Sequence, residues 1–203
     1  MYKRQIVIRA NEKCEYLNFG VKTALKKDEI KNKLLESGAW TLLKMRPYGC
    51  LANPDDLPKA IFINGMGSDP FASKPGFSLK GKEELFSRGL EVLKQLSDRT
   101  VLSIAQDENS DLLTNANDIE IHRFSGPHPS GNTSVHISRI SPLNKGEVIW
   151  TIAAQDVAII GKLFELGELH LDRTIAAGGS GMKDPKYYEV RGGQSMKTFF
   201  SQE

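Results

Sequence analysis

The 203-residue sequence is short of cysteine, of long apolar runs and of any surplus of one charge, and each shortage removes a class of function. Cys14 and Cys50 are its only cysteines. Two thiols cannot build a disulfide framework, and they fall short of the four thiolates that an iron–sulfur cluster or a Cys-rich zinc site requires. A reducing, cytosolic setting is the corresponding expectation. The 27 basic and 25 acidic side chains leave a formal charge of +2, which provides no dedicated surface for nucleic acid or an anionic membrane. The richest apolar run, Val148 to Ala154, is halted by Gln155 and Asp156, far short of the roughly 20 residues of a spanning helix. The N-terminus has no apolar stretch ahead of a small-residue cleavage site, so no secretory signal is expected. No full-period repeat is visible.

What is present is ordinary globular composition, 39% hydrophobic and 26% charged, in a chain long enough to bury roughly 70% of its unfolded surface. Gln5 to Ala10 and Glu15 to Phe19 read as strands or strand-like arms. Lys27 to Gly38 reads as a helix, with acids in its first turn, Ile30, Leu34 and Leu35 on one face, and Gly38 as its stop. Trp40 to Arg46 follows as a short second turn before Pro47. Ala60 to Gly65 is a continuous apolar run of the kind found in a buried parallel strand, and Thr100 to Ala105 is another. The amphipathic stretch Lys80 to Asp98 between them predicts a right-handed strand, helix, strand unit. Asp118 to Phe124 alternates and reads as a third central strand. A helix from Asn132 or Thr133 to Ile140, a strand at Val148 to Ile152, and a helix from Asp156 to Leu166 ended by Gly167 continue the pattern. The period then changes from 3.6 to 2. Arg173 to Ala177 and Lys186 to Val190, joined through a glycine-rich turn, predict a hairpin with few partners for a core of its own, as in a fragment of a longer protein.

Three constellations carry candidate chemistry. Gly126-Pro127-His128-Pro129-Ser130-Gly131 lies between a strand and a helix, where backbone N–H groups could hold an anion and His128 could donate to a carbonyl or phosphate. Alternatively, the glycines and prolines only force a tight change of direction. Gln155-Asp156 either presents a polar pair to a ligand or caps the first turn of a helix. Trp40 to Tyr48 sets aromatic faces beside a cation, which suits a flat quinone-like ring, or else Trp40 is core. His122 reads as an ordinary strand histidine, and the spacing of His128 and His136 does not suit a metal pair. No Ser/His/Asp triad stands out from spacing.

The blocks Phe124 to Gly131, Val148-Ile149-Trp150, Gln155 to Phe164, Gly167-Glu168-Leu169 and Asp172-Arg173 together resemble the NqrA family, one of the subunits of the Na+-translocating NADH:quinone reductase. Ser37 to Leu43 with Arg46-Pro47, and Ala60 to Asn64 with Asp69-Pro70, look like its earlier blocks. The resemblance implies an α/β, Rossmann-like domain related to the flavoprotein subunit of complex I over residues 1–170. The start of an SLBB-type β-grasp domain would follow over residues 171–203. Where that flavoprotein and the RnfC-type electron-transport protein carry a glycine-rich loop for FMN and NADH phosphates, this sequence has Ala39-Trp40-Thr41-Leu42-Leu43-Lys44-Met45-Arg46. Bulky side chains there oppose close backbone approach of a phosphate.

The expectation is a protein on the cytoplasmic side of the inner membrane, peripheral to it, in contact with the other subunits of the reductase and with quinone. It would carry no redox cofactor of its own, NADH and flavins belonging to other subunits, and would be inactive alone. Trp40, Arg46, Tyr48 and His128 are the candidate quinone contacts, and Gly126 and Gly131 frame the loop at the helix N-terminus. No metal site and no nucleic-acid partner is expected. The rival expectations are an independent flavin- or NAD-binding electron-transfer domain and a plain interaction module that binds protein or carbohydrate through its hairpin.

Overall fold

A computed structural model of the chain describes residues 15–21, 26–116 and 118–200. In chain order its elements are α1 (Lys27–Ser37), β1 (Lys44–Arg46), β2 (Cys50–Leu51), β3 (Ile61–Gly65), α2 (Pro75–Ser78), α3 (Glu83–Leu96), β4 (Thr100–Ala105) and α4 (Asp111–Thr114), followed by β5 (Glu120–Phe124), α5 (Thr133–Ile140), β6 (Ile149–Ala153), α6 (Ala154–Leu166), β7 (Asp172–Ala177), β8 (Lys186–Arg191) and α7 (Met196–Phe200). Helix α1 starts with Asp28 and Glu29 in its first turn and stops at Gly38, whose φ of 79° places it in the left-handed region.

Six strands form one sheet in the order β2-β1-β6-β3-β4-β5, and β7 and β8 form a second, antiparallel sheet. Strands β6, β3, β4 and β5 are parallel, whereas β1 runs antiparallel to both β6 and β2. Alternate residues of the central strands serve opposite layers. Ile61, Ile63, Leu102, Ile104, Trp150 and Ile152 pack with Ile30 and Leu34 of α1, Leu93 of α3 and Ile160 of α6. Phe62, Val101 and Ile149 pack with Ile137 of α5 on the other face. Burial on both faces explains why these strands read as unbroken apolar runs.

The structure corrects four expectations. Asp118 to Phe124 supplies β5 at the sheet edge and not a central strand. Its residues are at most partly buried, Glu120 and Arg123 being exposed and Ile121, His122 and Phe124 partly buried, unlike the almost wholly buried β3 and β4. Glu15 to Phe19 forms no strand; instead the Phe19 N–H donates to the Gly167 carbonyl at 2.7 Å and the ring packs on the core. Trp40 to Arg46 is a 3₁₀ turn over Ala39–Leu42 followed by β1, because Ala39, Trp40 and Leu43 are drawn into the core. The helix expected from Lys80 begins only at Glu83 and ends at Leu96. Gln5 to Ala10 lies outside the described residues.

Helices α3 and α6 cross with backbone against backbone. A Cβ on Gly89 would lie 2.0 Å from the Val157 carbonyl oxygen, and one on Gly161 would lie 1.7 Å from that of Leu85. Neither helix can yield without moving off the sheet. Gly161→Ala is expected to destabilise the protein by about 3 kcal/mol or more, the upper range for overpacking, read as a lower urea midpoint with an unchanged slope.

At the sheet edge, Arg99 donates from Nε and NH2 to the two Glu120 oxygens at 2.8 and 3.1 Å, and His122 Nε2 lies 2.7 Å from Oε1. Arg99 first, and His122 after it, hold the Glu120 carboxyl down at about 2. The Asn144 N–H and then Lys59 hold Glu147 at about 2 as well. Both groups bind a proton more weakly folded than unfolded, so their contribution is complete above the ordinary carboxylate range and is lost as pH falls towards 2. Urea midpoints are expected to fall across that window, and Glu120→Gln to flatten the fall only in part, since its side chain is 40% exposed.

Candidate functional site

The strand order reverses between β3 and β6, which are neighbours although β4 and β5 intervene in the chain. In open α/β sheets the crevice beyond the carboxyl ends of the strands at such a reversal is the usual ligand site. Two loops meet there. Asn64 of β3 donates through Nδ2 to the Gly131 carbonyl at 2.9 Å and to Thr133 Oγ1 at 3.1 Å, and its Oδ1 accepts the Met66 N–H at 2.9 Å. The Gly131 N–H donates to Ser68 Oγ at 3.0 Å. A Cβ at Gly131 would come within 2.7 Å of that hydroxyl and 2.9 Å of the Met66 carbonyl oxygen, so glycine is needed for loop to touch loop.

His128 sits in this cluster with Nδ1 at 3.1 Å from Ser68 Oγ and 3.4 Å from Asp69 Oδ1. Serine and carboxylate thus face the same ring nitrogen. A nucleophile relay needs them on opposite nitrogens, so the trio is not a hydrolytic triad. The Gly126–Gly131 turn also keeps its donors to itself: the Ser130 N–H goes to the Pro127 carbonyl at 2.9 Å and that of Asn132 to Pro129 at 2.8 Å. With Gly131 on Ser68, three consecutive N–H groups that could have faced an anion are used inside the protein. His136 is fully buried, stacks against Phe124 at 4.2 Å and donates from Nε2 to the Ser130 carbonyl at 2.9 Å. Burial holds its pKa below the ordinary histidine value, and Nδ1 has no hydrogen-bond partner. Among the described residues no group of His, Cys, Asp and Glu could hold a metal ion.

The four candidate quinone contacts are not brought together. Trp40 is only 5% exposed, donates its indole N–H to the Ala52 carbonyl at 2.7 Å and meets Trp150 edge to face at 5.3 Å, so it is core. Arg46 stands opposite Ile149, the first residue of β6, and therefore at the amino end of the parallel strands. Tyr48, 80% exposed, follows it in the turn to β2. His128 lies past the carboxyl end of β5, separated from Arg46 along the sheet by roughly 13 Å for a five-residue strand. Arg46 and Pro47 instead line a cleft of 340 Å³ against Ser134, Ile137 and Ser138 of α5 and the following Leu143. The Arg46 Nε is buried there without a hydrogen-bond partner.

Gln155 and Asp156 neither cap α6 nor face a cleft alone; they grip the hairpin. The Gln155 side chain accepts the Thr174 N–H at 3.0 Å and donates to the Thr174 carbonyl at 3.1 Å, acting as a strand neighbour would. It also donates to Ser73 Oγ at 3.2 Å. Asp156 pairs with Arg173. Burial pushes the Asp156 carboxyl above the ordinary range, opposed by the charges of Arg173 and, less, Lys44. Spacing could not reveal this pairing, because its partner lies across a loop on another sheet. Gln155→Ala is expected to speed hydrogen exchange of the β7 amides, Thr174 foremost, while β3, β4 and β6 keep their protection.

Residues 25–169 match the family described as NqrA second alpha/beta domain. The NqrA protein of the Na(+)-translocating NADH-quinone reductase of Neisseria meningitidis serogroup B is 37% identical over 184 residues, which is 89% of this chain and 41% of that one. Its counterpart in Alcanivorax borkumensis is 34% identical over 177 residues, covering 87% and 39%, and that in Histophilus somni 33% identical over 195 residues, covering 94% and 43%. The chain therefore spans about two fifths of the length of these relatives. In fold it is similar to a chain of NAD+-reducing [NiFe]-hydrogenase in the H2-reduced and air-oxidized states, with a TM-score of 0.61 and 13% identity over 87% of this chain and 39% or 38% of that one. No helix among the described residues is long and apolar enough to cross a membrane. A match over most of its length to the second α/β domain, with relatives above 30% identity that share one name, makes this chain a member of the NqrA family of the Na+-translocating NADH:quinone reductase.

Proposed function

We propose that the chain works as a peripheral piece of a sodium-pumping NADH:quinone reductase on the cytoplasmic side of the membrane, touching quinone and the membrane subunits while holding no redox cofactor itself. Its sheet is read as a Rossmann-like domain to residue 170, and β7–β8 as the first strands of an SLBB-type β-grasp domain. Electron transfer then belongs to the assembly.

The observation that carries the cofactor-free reading is the turn after α1. There Ala39, Trp40 and Leu43 are buried, and the indole is fixed by both Ala52 and Trp150. The phosphate of FMN or NADH needs bare backbone, and these residues do not fit it. Quinone contact is supported at the Arg46 cleft. Its walls are apolar where a ring would lie, and the guanidinium and the Ser134 hydroxyl are donors suited to the two quinone carbonyls, the Ser138 hydroxyl being given to the Val135 carbonyl at 2.8 Å. Trp40 packs in the core on the other face of the sheet and His128 lies at its far end, so this cleft is read without either.

Two measurements test this. Flavin absorbance and fluorescence titration of the purified chain with FMN and NADH are expected to show no saturation at micromolar concentration; saturable binding sinks the cofactor-free reading. In the assembled complex, a photoreactive quinone is expected to label the segments around Arg46 to Leu51 and Ser134 to Leu143. Arg46→Ala is expected to weaken quinone binding about tenfold, as loss of a charged hydrogen-bond donor does. Labelling confined to other segments would remove the quinone contact from this chain.

A further inference from the structure

A second cleft, of 400 Å³, opens over the carboxyl ends of β3, β4 and β5, on the other end of the sheet from Arg46. That volume lies within the range of sites for small organic ligands. Met66 and Phe124 give it apolar walls, and Asp107, Ser125 and His128 bring polar groups to its rim. Asp107 stands two residues past the end of β4, the strand next to β3. In parallel sheets of this strand order, a carboxylate at the end of that neighbouring strand accepts the hydroxyls of a ribose. Among the described residues the Asp107 carboxylate has no hydrogen-bond or ion-pair partner, so its acceptors are available.

The backbone at the same end of the sheet offers nothing to phosphate, and the Arg123 NH1 is given to the Gln106 and Glu108 carbonyls at 3.0 and 3.1 Å. Gly65 ends β3 and Gly67 follows it, as glycines do in nucleotide sites, yet the space a Cβ would take is occupied. At Gly65 it lies 3.1 Å from the Ser103 carbonyl oxygen, and at Gly67 2.9 Å from the Ala72 Cβ. The N–H groups of Ser130, Gly131 and Asn132 are already bonded, and Asp69 beside His128 adds a second negative charge. What remains matches the uncharged part of a nucleotide.

We propose that this cleft binds a nucleoside moiety, with Asp107 accepting both ribose hydroxyls and the base lying against Met66 and Phe124, and that it recognises no phosphate. The site is independent of the quinone reading. It is redox-silent and belongs to a ligand that is held and not transformed.

The test is a titration of the chain with adenosine, 2′,3′-dideoxyadenosine, AMP and NADH, followed by amide chemical shifts. Adenosine is expected to give saturable shifts at Met66 to Ser68, Asp107 and Ser125 to His128. Removing the ribose hydroxyls, or substituting Asp107→Asn, is expected to weaken binding about tenfold or more, as for any site built to bond a hydroxyl. Asp107 is exposed, so the melting temperature of the variant should stay that of the parent. AMP is expected to bind no tighter than adenosine, and NADH to shift the same amides through its adenosine end at millimolar and not at micromolar concentration. The proposal is overturned by absence of saturation up to ~10 mM, weaker than any useful affinity. Equal binding of the dideoxy compound, indifference to Asp107→Asn, or a clear preference for AMP would overturn it too.

Discussion

Helices α3 and α6 meet where Gly89 and Gly161 have no side chains, and almost everything at the carboxyl end of the sheet inherits its position from that contact. With carbonyl oxygens within 2.0 Å of where each Cβ would be, no layer of side chains separates the helices. Helix α6 leaves β6 without an intervening loop, Ala153 ending one and Ala154 starting the other. Its direction is therefore fixed at both ends, by the strand and by the crossing. The first turn of α6 then presents Gln155 and Asp156 to β7, and the hairpin is held by an amide that imitates a strand and by an ion pair. A two-stranded hairpin is marginal by itself in water. Its order here is borrowed from the α/β layer through this grip, through Lys82 to Glu189 at 3.1 Å, and through the Phe77 and Tyr187 rings at 4.7 Å.

The two ends of the sheet differ in kind. At the carboxyl end, loops are stitched to each other by Asn64, Ser68 and Gly131, and the donors that an anion would want are occupied by the protein. At the amino end, β1 and β2 add an antiparallel edge, and Arg46 reaches from that edge over Ile149 towards α5. The cation is thus kept away from the acidic rim of Asp69 and Asp107.

Elements whose signal is local were legible in the sequence. Gly38 and Gly167 end α1 and α6 with φ of 79° and 76°, as a glycine following a periodic run should. The unbroken runs at Ile61–Gly65 and Thr100–Ala105 are buried on both faces, as such runs require. The failures are those of tertiary origin. The alternation at β5 describes the exposure of its faces, and only the sheet order says that the strand lies at an edge. The β1–β2 hairpin has too few residues to leave a period. Trp40 and Arg46 are six residues apart and look like one constellation, yet one is locked in the core by Ala52 and the other faces α5. The Ser68–His128 contact spans 60 residues, and neither partner carries a mark of the other.

The closed turn after α1 has a cost for any alternative. To expose backbone to a phosphate, the chain would have to lift Trp40 from Trp150 and break its bond to Ala52, with Leu43 beside it. Removing a buried aromatic side chain of this kind costs about 3–5 kcal/mol, whereas an anion at a helix N-terminus returns at most ~2 kcal/mol. The difference, at least about 1 kcal/mol, favours the filled turn by a factor of roughly 5 or more in equilibrium constant, since each 1.4 kcal/mol is tenfold. In the glycine-rich version of such a turn there is no side chain to displace, and the balance reverses. A few residues at one turn therefore decide whether backbone is open there, and in this chain Trp40 and Leu43 keep it filled.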